Sequence, residues 1–242
     1  MQNIVFLSDG NKLSGTLFVP VKQKNSNPAI LFVHGWTSEK KRSCQYAESL
    51  IKLGYICFLF DMRGHGESEG DINTATTEEF SHDVLASYDY LAGVEGVDKE
   101  NISVVGSSFG SYLGTLLTEK RKVTHLALRV PADYPDESFN KMKMGTSGQT
   151  NEEVLAWRRN PKKPGDTFAL TVISKFSGEI LIIESGEDKI VLHQTVQNYA
   201  DAVSDKNKLT HVVIAGAPHS IKHGPFKDQV EKILLTWFRK RI

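Results

Sequence analysis

Ile102-Ser103-Val104-Val105-Gly106-Ser107-Ser108-Phe109-Gly110 is the stretch on which the reading of this chain turns. Residues 102–105 suit a short buried strand, and residues 108–118 carry a helical pattern. Between them the letters fall as G-x-S-x-G. In a strand–turn–helix setting that spacing describes a sharp turn with a serine at its tip, in a strained backbone conformation. Side chains two positions before and two after would clash, so glycine stands at both. The turn lifts the Ser108 hydroxyl above the sheet edge and aims it at the start of a helix, whose N–H groups favour a developing negative charge. An ordinary Gly/Ser turn has the same letters. The flanking strand and helix separate the two, and Ser108 is read as a nucleophile.

Working outward, the chain alternates strand and helix patterns. Residues 4–7 and 13–19, joined by Asp9-Gly10, predict an antiparallel hairpin. Apolar runs at 29–33, 55–60, 102–105, 123–130, 179–183 and 210–214 predict strands, mostly buried on both faces as in a parallel sheet. Helical patterns lie at 43–53, 77–92, 108–118 and 227–240, with Thr77 as the N-cap of the second. The expected fold class is α/β: one domain over residues 1–242, with a mostly parallel eight-stranded sheet, an N-terminal antiparallel hairpin and helices on both faces. Residues 131–178 break the rhythm, with prolines, glycines and short helices expected at 136–144, 152–158 and 167–176. An excursion of that length predicts a lid.

A serine nucleophile needs a base, and the base an orienting acid, in the chain order Ser, acid, His for this kind of sheet. His219 follows the strand at 210–214 and so falls at the carboxyl edge of the sheet, with Ser108. His125 and His211 fall at strand starts, His193 at a helix start and His223 near the last helix. The acid should follow the strand at 179–183. Asp188 is preferred there, with Glu184 and Glu187 as alternatives.

Composition narrows the partners. Lys plus Arg and Asp plus Glu number 29 each in 242 residues, so no net field favours nucleic acid or an anionic membrane. Cys44 and Cys57 fit no metal or redox spacing and read as free thiols of a reducing compartment. The first ten residues lack a signal-peptide pattern and no apolar run reaches membrane-span length, so a cytoplasmic protein is expected. His219 and His223 stand four apart, but no HExxH, CxxC or acidic cluster joins them, and no metal is expected. No dinucleotide or phosphate-loop fingerprint is present, and no cofactor is expected. Oligomeric state is not legible. Trp157-Arg158-Arg159 reads first as a solvated basic helix end. Its second reading, with Trp157 foremost, is contact with an anionic or aromatic substrate.

Taken together these motifs resemble the α/β-hydrolase superfamily over nearly the whole chain. His34-Gly35-Trp36 looks like that family's HG-x segment, which implies backbone N–H groups of Trp36 and Phe109 as oxyanion donors. Residues 61–68, Asp-Met-Arg-Gly-His-Gly-Glu-Ser, look like its D-x-R-G-H-G-x-S loop, with Arg63 and His65 read as stabilising that loop. Asp188-Lys189-Ile190-Val191 resembles the D-x-x-V segment that carries the acid. The chain departs from the family pattern at Glu184-Ser185, often His-Gly, and at Ser107, often His. The likeness is greatest to small bacterial esterases of the cinnamoyl and feruloyl type. It implies a serine hydrolase cleaving small carboxylic esters through an acyl-enzyme. Amide or thioester hydrolysis by the same triad is the alternative, and a non-catalytic binding protein on this scaffold is a third.

Overall fold

The computed structural model describes residues 1–22, 25–143 and 152–242. Its strands are β1 (Gln2–Ser8), β2 (Asn11–Phe18), β3 (Asn27–Val33), β4 (Ile56–Phe60), β5 (Val97–Ser107), β6 (His125–Arg129), β7 (Glu179–Ser185) and β8 (Leu209–Ile214). They form one sheet in the order β1-β2-β4-β3-β5-β6-β7-β8. β1 pairs antiparallel with β2, and β2 antiparallel with β4; every other pairing is parallel. The expected α/β architecture is therefore present. At the hairpin, Asp9 (φ 47°) and Gly10 (φ 83°) both lie in the left-handed region, as a two-residue type I′ turn requires.

β3 is buried along all seven residues and β4 along all five, because helices cover both faces of the sheet. The helices are α1 (Cys44–Leu50), α2 (Thr77–Ala92), α3 (Phe109–Lys120), α4 (Glu152–Arg159), α5 (Phe168–Lys175), α6 (His193–Ala202) and α7 (Pro225–Phe238). Phe80, Tyr112, Leu170 and Tyr199 carry α2, α3, α5 and α6 into one core layer. Ala47, Leu50, Leu234 and Phe238 carry α1 and α7 into the other.

Some boundaries differ from those expected. Thr76, not Thr77, caps α2: its hydroxyl accepts the Glu79 N–H while the Glu79 carboxylate accepts the Thr76 N–H, a reciprocal capping box. Thr77 is instead buried in the first turn. The helix expected over 43–53 has α-helical geometry only from Cys44 to Leu50, between 3₁₀ turns, and Gly54 (φ 99°) ends it. β5 begins at Val97, well before the apolar run; Asp98-Lys99-Glu100 is solvent-facing strand that hydrophobicity cannot reveal. Between β6 and β7, the helix expected at 136–144 is a 3₁₀ turn over Asp136–Ser138, and residue 144 lies outside the described residues. The other two helices expected there are α4 and α5, the latter capped by Thr167.

Candidate active site

Because β3, β5, β6, β7 and β8 run parallel, the loops that follow them gather at one edge of the sheet. Ser108 sits at the β5–α3 junction with φ 53° and ψ −115°, backbone values that cost of order 1–3 kcal/mol in a non-glycine residue. The glycines around it are steric necessities. A Cβ on Gly110 would lie 2.1 Å from the Val33 carbonyl oxygen, and one on Gly106 would lie 2.6 Å from the Gly110 carbonyl oxygen. The strained turn is held from β6: the Ser108 N–H donates to the Arg129 carbonyl at 2.9 Å, and the Ser111 hydroxyl donates to the same oxygen at 3.1 Å. Two further non-glycine residues with positive φ, Thr37 (56°) and Val130 (42°), follow β3 and β6 at the same edge. Strain concentrated at one place in this way marks a site.

Asp188 and His219 meet: the imidazole Nδ1 lies 2.6 Å from one Asp188 carboxylate oxygen. The other oxygen accepts the Ile190 and Val191 N–H groups at 2.8 and 2.9 Å, which fixes the carboxylate plane. Backbone bonds join the two loops, from Gly186 N–H to the Ile214 carbonyl and from Glu187 N–H to the Ala217 carbonyl, each at 2.9 Å. Of the alternatives for the acid, Glu187 is exposed and Glu184 is engaged elsewhere. Glu184 accepts from His193 Nδ1 at 2.6 Å and His211 Nε2 at 2.9 Å, and those imidazoles hold its buried carboxyl below the usual range against the opposing effect of burial. This pair of histidines accounts for the departure at position 184.

Ser108 and His219 line a common cavity of about 340 Å³, together with Trp36, Tyr134 and Val191. Trp36 is pinned from three sides, its ring edge-on to His65, Phe80 and Phe109 at centroid distances of 5.3, 5.4 and 5.8 Å. The buried Lys143 ammonium stands 3.4 Å from the centre of the Tyr134 ring and 4.8 Å from that of Phe109, and burial pulls its pKa well below the lysine range.

The two buried histidines near the site have structural roles. His34 Nδ1 donates to the Gly35 carbonyl at 2.8 Å, and its Nε2 accepts the Met62 N–H at 3.0 Å. His65 Nδ1 donates to the Arg63 carbonyl, and its Nε2 accepts the Thr37 N–H. Both rings are thus neutral Nδ1–H tautomers. Burial, with the His65 ring nearby, brings the His34 pKa down to about 4. The loop over residues 61–68 is cross-braced: Asp61 accepts both the backbone N–H and the ammonium of Lys40 at 2.6 Å, and Arg63 is forked onto Asp83. Gly66 is required there, since a Cβ would lie 2.2 Å from the Asp61 carboxylate. Arg63 and His65 hold this loop and, through Thr37, the Trp36 segment.

The residues of 157–159 divide. Trp157 is half-buried under the Lys162 ammonium, 3.7 Å from its ring centre, and is not among the described residues that line the cavity. Arg158 does line it; its side chain is buried, not solvated, and donates to the Ile190 carbonyl at 2.8 Å. Arg129 is the residue that sequence reasoning passed over. Its guanidinium donates to the Ser107 hydroxyl at 3.1 Å, the Ser185 hydroxyl at 3.5 Å and the His219 carbonyl. One side chain thus touches the segments that carry Ser108, Asp188 and His219. The available signal was a lone arginine near the end of an apolar strand, at the edge where the elbow opens.

An eight-stranded sheet of this order, with a strained serine after β5 and a paired carboxylate and imidazole after β7 and β8, is a hydrolase architecture. The chain belongs to the family of the alpha/beta hydrolase fold, whose model matches residues 28–178. The mitochondrial palmitoyl-protein thioesterase ABHD10 of Homo sapiens is 29% identical over 126 residues, which span 50% of this chain and 39% of that protein. An uncharacterized 31.7 kDa protein of Escherichia coli is 20% identical over 268 residues, covering 89% of this chain and 92% of that one. Among solved structures, Est1E of Butyrivibrio proteoclasticus, determined with bound ferulic acid, superposes with a TM-score of 0.77 over 98% of both chains at 18% identity. That likeness is one of fold.

Among the described residues no three His, Cys, Asp or Glu side chains could together hold a metal ion, and no helix is long and apolar enough to cross a membrane. Cys44 and Cys57 are free.

Proposed function

We propose that this chain is a serine hydrolase that cleaves small carboxylic esters through a Ser108–His219–Asp188 triad. The observation that carries the proposal is the 2.6 Å contact of Asp188 with His219 at a cavity whose wall includes Ser108 on its strained turn. With Nδ1–H donated to Asp188, the imidazole presents Nε2 as the base. It takes the Ser108 proton as the oxygen attacks the ester carbonyl, then gives that proton to the departing alcohol. Water attacks the acyl-serine next, with His219 again as base. No external redox or metal chemistry enters this sequence.

The Trp36 and Phe109 N–H groups hold the developing oxyanion in this proposal. Gly35 supports the assignment: a Cβ there would lie 3.1 Å from the Ser107 carbonyl oxygen and 3.3 Å from the Ser108 Cβ, so the Trp36 segment runs close against the nucleophile turn. Losing one such donor typically costs about 3–4 kcal/mol of transition-state stabilisation. Residues 131–178 serve as the lid; Tyr134 and Arg158 from that segment already line the cavity. A second reading, thioester hydrolysis by the same residues, is favoured by the likeness to the palmitoyl-protein thioesterase over half of this chain.

A panel of p-nitrophenyl esters and acyl thioesters, run with wild type and Ser108→Ala, tests both readings. Hydrolysis that disappears in Ser108→Ala is expected, and the better substrate class decides between them. Equal rates for the two proteins would refute the assignment of Ser108.

A further inference from the structure

Two deeply placed cations outside the candidate site, Lys40 and Arg63, are closed by carboxylates. Lys40 is paired with Asp61 and Glu67, and Arg63 with Asp83, Asp9 and Glu79. The candidate active-site cavity is built differently. Arg42, Arg129, Arg158 and Lys222 line it, and no aspartate or glutamate does among the described residues. In a chain with 29 cationic and 29 anionic side chains this bias is local, not a reflection of composition.

Arg129 stands out among the four. Its three acceptors, Ser107, Ser185 and the His219 carbonyl, are all neutral. Asp188, whose charge also acts on Arg129, already has its oxygens on His219 and on the Ile190 and Val191 N–H groups. Burial accordingly lowers the Arg129 pKa, with Tyr46 and Asp188 opposing only in part; at Arg63 the carboxylates outweigh burial and raise it. Three of the five guanidinium N–H groups are spent on those bonds, which hold the group still and leave two for a ligand. A desolvated cation without a bound counter-charge is costly, and a cleft of one sign concentrates ligands of the other. The cavity, at about 340 Å³, is near the lower limit for ligand pockets, so it fits a compact carboxylate better than a nucleotide phosphate.

We infer that the substrate carries a carboxylate in addition to the bond that is cleaved, and that Arg129, with Arg42, Arg158 and Lys222 around it, is its recognition site. This rests on the hydrolase reading above for the identity of the reaction, but not for the binding. Calorimetric titration of the full chain with 4-phenylbutyrate and with its neutral counterpart 4-phenylbutanamide tests it. The acid is expected to bind about tenfold more tightly or better, with an advantage that shrinks as salt is raised and falls in Arg129→Gln. Arg42→Gln, at a half-buried position on the cavity wall, repeats the comparison should Arg129→Gln fail to fold, and a smaller drop in the advantage is expected there. Equal binding of acid and amide, undetectable binding of the acid, or an acid advantage untouched in the variants overturns the inference.

Hydrolysis of 4-nitrophenyl butyrate and of 4-nitrophenyl hydrogen glutarate is followed in parallel. Preferential binding of the acid with neither ester cleaved would remove the ester reading and leave the recognition site standing. Cleavage of both esters at equal rates without acid preference would do the reverse.

Discussion

Asp188→Asn separates geometry from chemistry at the candidate site. The substitution keeps size and shape, and the structure dictates how the carboxamide must sit. Ile190 and Val191 both point N–H groups at the same Asp188 oxygen, at 2.8 and 2.9 Å, so the amide oxygen has to take that place. The amide nitrogen then faces His219 Nδ1 across the 2.6 Å contact. Two donors cannot share that line. His219 is driven to the opposite tautomer, its Nε2 carries the proton, and it can no longer accept the Ser108 proton. Tautomer inversion of this kind costs a serine triad roughly 10⁴-fold in kcat, about 5.5 kcal/mol of transition-state stabilisation. The assay is p-nitrophenyl ester turnover, with thermal unfolding as the control for fold. A loss near that size with KM little changed and Tm preserved is expected. A variant that retains more than about a tenth of wild-type kcat would refute the role given to Asp188.

Other consequences can be checked in the same way. Gly110→Ala places a Cβ 2.1 Å from the Val33 carbonyl, backbone that cannot swing aside, so a stability loss at the upper end of the roughly 1–3 kcal/mol overpacking range, or beyond it, is expected; an unchanged Tm would contradict the steric account. Asp133, buried beside Thr167 and the Tyr134 N–H, has its pKa raised to about 7 chiefly by burial. The folded state therefore holds this proton more tightly than the unfolded chain does, and stability falls as pH rises from about 4 to about 7, by an amount on the order of 4 kcal/mol. Asp133→Asn should remove that slope in denaturant titrations, and an unaltered pH dependence would count against it. His34, with its pKa near 4, should remain a neutral Nδ1–H ring at pH 6 in nitrogen-15 spectra; an imidazolium signal there would contradict the hydrogen-bond assignment.

What the sequence disclosed, and what it hid, follows from the range of the interactions involved. The elbow was legible because its requirements are local: Gly106 and Gly110 answer to atoms within a few residues or on the adjacent β3 strand. That Ser108, Asp188 and His219 come to one edge was legible because parallel strands deliver their loops there in chain order. Arg129 was not, since its partners Ser107, Ser185 and His219 come from the ends of β5 and β7 and the loop after β8, 22, 56 and 90 positions away. Glu184 looked like a departure from pattern until His193 and His211 were brought to it by α6 and β8. Arg158 was read as solvated because two basic letters at a helix end usually are, whereas packing against the Ile190 loop turns it inward while Arg159 stays exposed. The Thr76 and Thr77 exchange is a one-position ambiguity between neighbours of identical chemistry, decided by which hydroxyl reaches the Glu79 N–H.

The central claim is that Ser108 is the nucleophile, and covalent capture tests it most directly. The protein is treated with diethyl p-nitrophenyl phosphate, digested and mapped by mass spectrometry. One diethylphosphoryl group per chain on the peptide that holds Ser108, absent in Ser108→Ala and formed in step with loss of esterase activity, is the predicted result. Activity that survives full treatment, or a label carried by another residue while Ser108 stays unmodified, would contradict it.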